Sequence, residues 1–233
     1  MTAAFILDEL HSVAYPKKAQ FLQRFFKTGK GEYAEGDIFL GIVVPIVRNI
    51  AKANRLTPLS ELEILIKSEY HEARLTALLI MIEQFNRADE AEQSLLYTFY
   101  LNHTTYINNW DLVDVTCSHI VGKYLLTRDR SILYTLAESS LLWDQRIAIV
   151  STITFIRNRE FFDTFALAEK LMTHKHDLIH KAIGWMLREV GKRDKEALCE
   201  FLDRYTLKLP RTSLRYAIER LTPEERSYYM KLK

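Results

Sequence analysis

Glu72-Ala73-Arg74-Leu75-Thr76-Ala77-Leu78-Leu79 has three counterparts further along the chain: Asp144-Gln145-Arg146-Ile147-Ala148-Ile149, Ile179-His180-Lys181-Ala182-Ile183-Gly184-Trp185 and Ser213-Leu214-Arg215-Tyr216-Ala217-Ile218. Their basic residues stand at 74, 146, 181 and 215, and midway across the widest gap Trp110-Asp111-Leu112-Val113-Asp114 opens a further helical pattern. The register 74, 110, 146, 181, 215 repeats every 34 to 36 residues. That period belongs to stacked helix pairs, because one pair cannot bury its apolar face alone and needs a neighbour on each side.

Partner helices are predicted between these segments. Thr57-Pro58 offers a capping residue with Pro at the first helical position before Leu59–Ile66. Further helices are predicted over Asp89–Tyr100, Asp129–Glu138, Glu160–Met172 and Asp194–Tyr205, and Thr222-Pro223-Glu224-Glu225 has capping-box spacing. Near the N-terminus, Ala19–Lys27 and Pro45–Ala53 are predicted helical, separated by a glycine-rich loop over Thr28–Gly36. The expected fold is all-α: a single domain over 1–233, an α-solenoid of HEAT-like helical repeats whose concave face suits an elongated partner.

Composition agrees. Apolar residues make up 48% of the 233, enough for a core, while 7 Gly and 5 Pro are too few for the turns of an all-β fold. Cys117 and Cys199 lack the number and spacing of a disulfide framework or zinc site. No apolar run approaches the ~18 residues of a membrane span, and the first residues carry no basic signal region. A cytoplasmic protein with no membrane partner is expected. Residues 1–120 carry a net charge of −4 and residues 121–233 a net of +6, so positive potential is expected over the C-terminal repeats, facing a polyanion.

Residues four apart share a helix face. The register positions and their +4 neighbours pair as Arg74/Leu78, Trp110/Asp114, Arg146/Val150, Lys181/Trp185 and Arg215/Glu219. Two tryptophans, an aspartate, an arginine and a lysine are thus expected on one lining surface. A carboxylate beside flat rings with cations nearby suits an oxocarbenium-like or cationic species. Tryptophan in helical repeats also packs cores, and Asp near a helix start also serves as a dipole partner, the role expected of Asp111. Asp114 lies one turn further in and from spacing alone is open to either role. His174, His176 and His180 are read as a turn opening a helix rather than a metal site. Gly29-Lys30-Gly31 follows no strand and lacks phosphate-loop spacing.

Three stretches together carry a family resemblance. Trp110-Asp111-Leu112-Val113-Asp114, Trp143-Asp144-Gln145-Arg146 and Lys181-Ala182-Ile183-Gly184-Trp185-Met186-Leu187-Arg188-Glu189 resemble the signature helices of the AlkD-like DNA alkylation repair glycosylases. Phe39-Leu40-Gly41-Ile42, with Pro45 and Arg48, is similar to that family's N-terminal segment, and the resemblance spans roughly residues 15–220. It implies a curved repeat array that cradles double-stranded DNA with alkylated bases, works as a monomer and uses no metal or other cofactor. It implies that Asp114 assists hydrolysis of the N-glycosidic bond of N3- and N7-alkylpurines, that Trp110 and Trp185 contact the sugar-phosphate of the lesion nucleotide, and that Arg146 binds phosphate. Lys181 and Arg188 are the added phosphate contacts expected from the charge balance. The chain departs from the family at Phe25, where well-known members carry a tyrosine; Tyr33 is the candidate replacement for that polar contact. The Lys27–Tyr33 loop places it in a divergent branch. The alternative is a non-catalytic repeat module that binds DNA structures or protein, and Asp114 with its tryptophans discriminates the two.

Overall fold

A computed structural model describes residues 1–232. It is all-α, with no strand among the described residues; Ile38 and Tyr70 form an isolated parallel bridge. Among the described residues no helix is long and apolar enough to cross a membrane. The chain divides into two compact units, Met1–Thr116 and the remainder from Cys117.

The first unit holds α1 (Ala3–Ser12), α2 (Pro16–Phe25), α3 (Val44–Ala53), α4 (Leu59–Ile66), α5 (His71–Phe85), α6 (Glu90–Asn102) and α7 (Trp110–Asp114). Every residue of α5 from His71 to Ile82 is buried, so this helix, apolar nearly all round, is the axis on which α1, α3, α4 and α6 pack. Asp89 and Glu92 close the capping box of α6. Pro58, not Thr57, is the N-cap of α4; the Thr57 hydroxyl instead donates to the Asn54 carbonyl at 2.7 Å. Helix α1 is absent from the sequence reading. Only Ala3, Ile6 and Leu10 bury, too short a stripe to stand out, although Thr2 caps it.

The second unit holds α8 (Ser131–Glu138), α9 (Leu142–Ser151), α10 (Ile153–Arg157), α11 (Phe162–Leu171), α12 (Asp177–Gly191), α13 (Lys195–Tyr205), α14 (Arg211–Ala217) and α15 (Pro223–Lys231). Helix α12 is its axis and packs on α9, α11, α13 and α14. The α12–α14 approach needs Gly184, where a Cβ would fall 2.5 Å from the Ser213 carbonyl oxygen. Asp194 caps α13, and Thr222 with Glu225 forms the capping box of α15.

Each register position falls in a separate helix: Arg74 in α5, Trp110 in α7, Arg146 in α9, Lys181 in α12 and Arg215 in α14. The partner helices α4, α6, α8, α11 and α13 alternate with them, as the period predicts. The exception is the helix beginning at Trp110. Its apolar stripe, Val113/Cys117/Ile120/Val121/Tyr124, reads as continuous, yet the α-helix ends at Asp114 and is followed by a π-turn over Ser118–Gly122 and a 3-10 turn over Leu125–Thr127. Val113, Val115 and Thr116 are β-branched and lose rotamer freedom in a helix. Thr116 Oγ also bonds the Leu112 carbonyl, a local hydrogen bond that competes with the helical ladder.

Candidate functional site

Five residues make little more than one helical turn, too few to hold α7 by backbone hydrogen bonds alone. Its place is set from outside. Leu112 and Val113 are buried on one side, and Trp110 and Asp114, both half-buried, share the other. At the start, Asn109 is fully buried and its Oδ1 accepts the Trp110 backbone N–H at 2.8 Å. At the end, the Thr116 and Tyr100 hydroxyls lie 2.9 Å apart, tying the chain to α6. The Trp110 ring stacks on Phe26 (centroids 5.1 Å, 27°) and meets Phe25 edge-on (6.1 Å, 67°).

Beneath these rings lies a buried charged network. Asp37 Oδ1 accepts from Arg74 Nη2 and from Asn108 Nδ2 (3.3 Å); Oδ2 accepts from Asn109 Nδ2 (3.4 Å) and faces His71 Nδ1 at 3.1 Å. The other ring nitrogen of His71, Nε2, lies 2.9 Å from Asp111 Oδ2. Arg74 also donates to the carbonyls of Ser68 (2.8 Å) and Glu69 (3.1 Å). Burial opposes a charge on His71, but Asp111 and then Asp37 overcome it and raise its pKa to about 9. For Asp37, too, burial is outweighed: the His71 hydrogen bond and Arg74 charge hold its carboxyl below the usual carboxylate range. The imidazole is stacked against Phe39 (4.2 Å) and lies near Phe26 (5.4 Å). Asp111 thus lies in the first turn of α7, as expected of a dipole partner, and its carboxylate also holds His71, while Asn109 takes the cap.

Glu72, next along α5, fixes the segment opposite. Its buried carboxylate accepts the backbone N–H groups of Leu40 (2.8 Å), Gly41 (2.8 Å) and Ile42 (3.1 Å). Gly41 sits at φ +84, and a Cβ there would lie 2.2 Å from the Tyr15 carbonyl oxygen, so only glycine lets this segment pass against the start of α2. Between α2 and the start of α3 opens a cleft of about 420 Å³, walled by Phe21, Phe25 and Pro45 and floored by Phe39, His71 and Asp111. The Thr28–Gly36 loop is folded on itself: Glu32 and Glu35 carboxylates accept the N–H groups of Gly29 (2.9 Å) and Gly31 (2.8 Å). Tyr33 is half-buried in it and Phe25, at the end of α2, is exposed.

In the second unit, Arg146 is buried and donates through Nη1 to the Leu178 carbonyl. Lys181 is half-buried and pairs with Asp177 at 2.8 Å; Trp185, one turn on, is also half-buried. Arg188 pairs with Glu219 and lies over the Tyr216 ring. His176 is the N-cap of α12, its Nδ1 accepting the Leu178 N–H at 3.2 Å, and His180 Nε2 meets the His174 carbonyl, so these histidines build the turn that opens the helix.

The family model for DNA alkylation repair enzymes matches residues 6–221. The chain belongs to that family. Among solved structures, a predicted DNA alkylation repair enzyme from Enterococcus faecalis shares the fold with a TM-score of 0.73, over 90% of this chain and 97% of that one, at 18% identity. No curated protein matches in sequence.

In this member of the DNA alkylation repair enzyme family, sequence reasoning singles out Trp110 and Asp114 as candidates but not the residues packed and bonded around their helix. Asp37, His71, Asn108 and Asn109 carry no spacing that links them. The local signals are faint: an aspartate closing a glycine-rich loop, and a histidine at the first position of the most apolar helix.

Proposed function

We propose that the chain is an alkylpurine DNA glycosylase that hydrolyses the N-glycosidic bond of N3- and N7-alkylated purines in duplex DNA, built on HEAT-like helix pairs. The observation that carries this reading is a half-buried carboxylate, Asp114, one turn from a half-buried indole, Trp110, on a helix anchored by a buried charged network. Alkylation at N7 or N3 leaves the purine cationic and a good leaving group. What remains is to stabilise an oxocarbenium-like sugar and direct a water, and one carboxylate serves both, by charge and by accepting the water's proton. The Trp110 face adds cation–π attraction of roughly 0.5–2 kcal/mol. The test is release of free base from duplex DNA containing N7-methylguanine; a folded protein that binds the duplex and releases none makes the chain a binding module.

DNA affinity is proposed to draw on α2 as well as on Lys181 and Arg188. Arg146, expected from the sequence to bind phosphate, is buried and donates to the Leu178 carbonyl, so it braces the α9–α12 contact instead. Helix α2 has no fully buried residue and no acidic one, and it exposes Phe21 (64%) and Phe25 (54%) beside Lys17, Lys18 and Arg24. None of these three cations makes an ion pair among the described residues. In the second unit, Lys181 and Arg188 must first exchange Asp177 and Glu219 for phosphate, a small cost for surface pairs. Affinity is expected to fall linearly with log salt, and removing both Lys17 and Arg24 as alanines to lower the slope by about 1 per lost contact. Because both side chains are exposed, the fold is expected to survive. An unchanged slope removes α2 from the interface.

A further inference from the structure

We propose that His71 is a positioning residue for the Trp110–Asp114 helix, tying Asp111 directly and Asn108 and Asn109 through Asp37. This rests on the glycosylase reading above only for its kinetic readout. The geometry is specific. Both ring nitrogens face carboxylate oxygens, Asp37 at 3.1 Å and Asp111 at 2.9 Å. A neutral imidazole donates from one nitrogen only and would turn a lone pair toward the other carboxylate; only the doubly protonated ring satisfies both. The charged groups around it then balance, with His71 and Arg74 positive against Asp37 and Asp111 negative, while Glu72 is taken up by three backbone N–H groups and Lys18 stands at the cleft. The ring also stacks on Phe39, which stacks on Phe26, which carries Trp110. One buried cation thus reaches α7 by two routes, through its cap and through its aromatic platform.

The charge and the positioning are one property. The pKa near 9 keeps the clamp closed at neutral pH. With the folded pKa raised above the ordinary value of 6.5, its stabilising effect is complete below about 6.5 and is lost as pH rises through about 9. Loss of the proton leaves a net negative buried cluster and turns a ring lone pair toward either Asp37 or Asp111, so α7 loses one of its two ties without any change at Asp114 itself.

The experiment combines kinetics and nitrogen-15 NMR on the full chain. Base release from N7-methylguanine DNA is measured from pH 6 to 10 for wild type, His71→Gln and Asp111→Asn, while ring signals of His71 and backbone amides of Trp110 and Asp114 are followed over the same range. In wild type, kcat is expected to fall with a midpoint near 9 while KM holds, and the two amides to move with that midpoint. Gln donates to only one carboxylate, so His71→Gln is expected to lower kcat at least tenfold and to lose the alkaline step. Asp111→Asn, at a less buried position and more tolerant of substitution, is expected to move the midpoint below that of wild type. Folded variants with wild-type kcat and an unmoved pH profile overturn the proposal. If wild type releases no base, the glycosylase reading fails, and the amides decide this one: motion with the His71 midpoint upholds it, and indifference to His71 overturns it.

Discussion

Asp114→Asn is expected to keep the fold and the DNA affinity of wild type while base release falls by about 10²–10⁴-fold, the range for removing a positioned acid–base group. Asn has nearly the same shape and removes a negative charge from a surface proposed to meet phosphates, so affinity is expected to hold or rise slightly. It can neither stabilise an oxocarbenium-like sugar by charge nor take a proton from water. A purely structural Asp114 predicts the opposite pattern: a lower melting temperature, with activity per folded molecule unchanged. Melting temperature, duplex affinity and N7-methylguanine release on this one variant separate the two, and release at the wild-type rate removes Asp114 from the mechanism.

What could be read from the sequence divides along a physical line. Helix starts were legible where a local signal fixes them. Thr222 with Glu225 forms the capping box its spacing predicts, and the helices predicted from Asp89 and Asp194 start there with those residues as N-caps, whereas at Thr57 the cap passes to Pro58. The period was legible because each helix that carries a register position must bury a similar face. The same register gives direction but not depth. Arg74 and Arg146 look like surface cations at equivalent positions, yet both guanidinium groups are buried on backbone carbonyls, Arg74 on Ser68 and Glu69 and Arg146 on Leu178. The anchoring network was not legible at all. It joins positions 37, 71, 74, 108, 109 and 111, and only the fold brings them within hydrogen-bond reach. Asp111 illustrates the limit: in the first turn of a helix it reads as a dipole partner, and nothing local reveals a histidine forty residues away.

Asp37→Ala is expected to have one of the largest effects on stability of any polar substitution in the first unit. Asp37 is buried and is the shared acceptor for Arg74, His71, Asn108 and Asn109. Removing it leaves a guanidinium and an imidazolium buried with only Asp111 against them. Breaking a buried ion pair by deleting one partner costs about 3–5 kcal/mol, a large share of the 5–15 kcal/mol that holds a typical domain together. At about 2–4 °C per kcal/mol for a chain of this size, the melting temperature is expected to drop by roughly 6–20 °C. Asp37→Asn keeps the shape and one acceptor oxygen, so its cost is expected to be smaller. The two variants also differ from wild type in pH dependence. The Asp37 pKa is depressed in the folded state, so its contribution is present above the ordinary carboxylate value and lost as pH falls through the folded one. The His71 contribution fades at the alkaline end, through about 9. Wild type is therefore expected to lose stability at both extremes, whereas Asp37→Ala loses the Asp37 share of the acid limb. Its alkaline limb moves to lower pH, because His71 keeps only one of the two carboxylates that raise its pKa. Thermal melts from pH 3 to 10 on the three proteins read this directly; an Asp37→Ala protein that melts within a degree of wild type at pH 7 would show that the network carries no net stability.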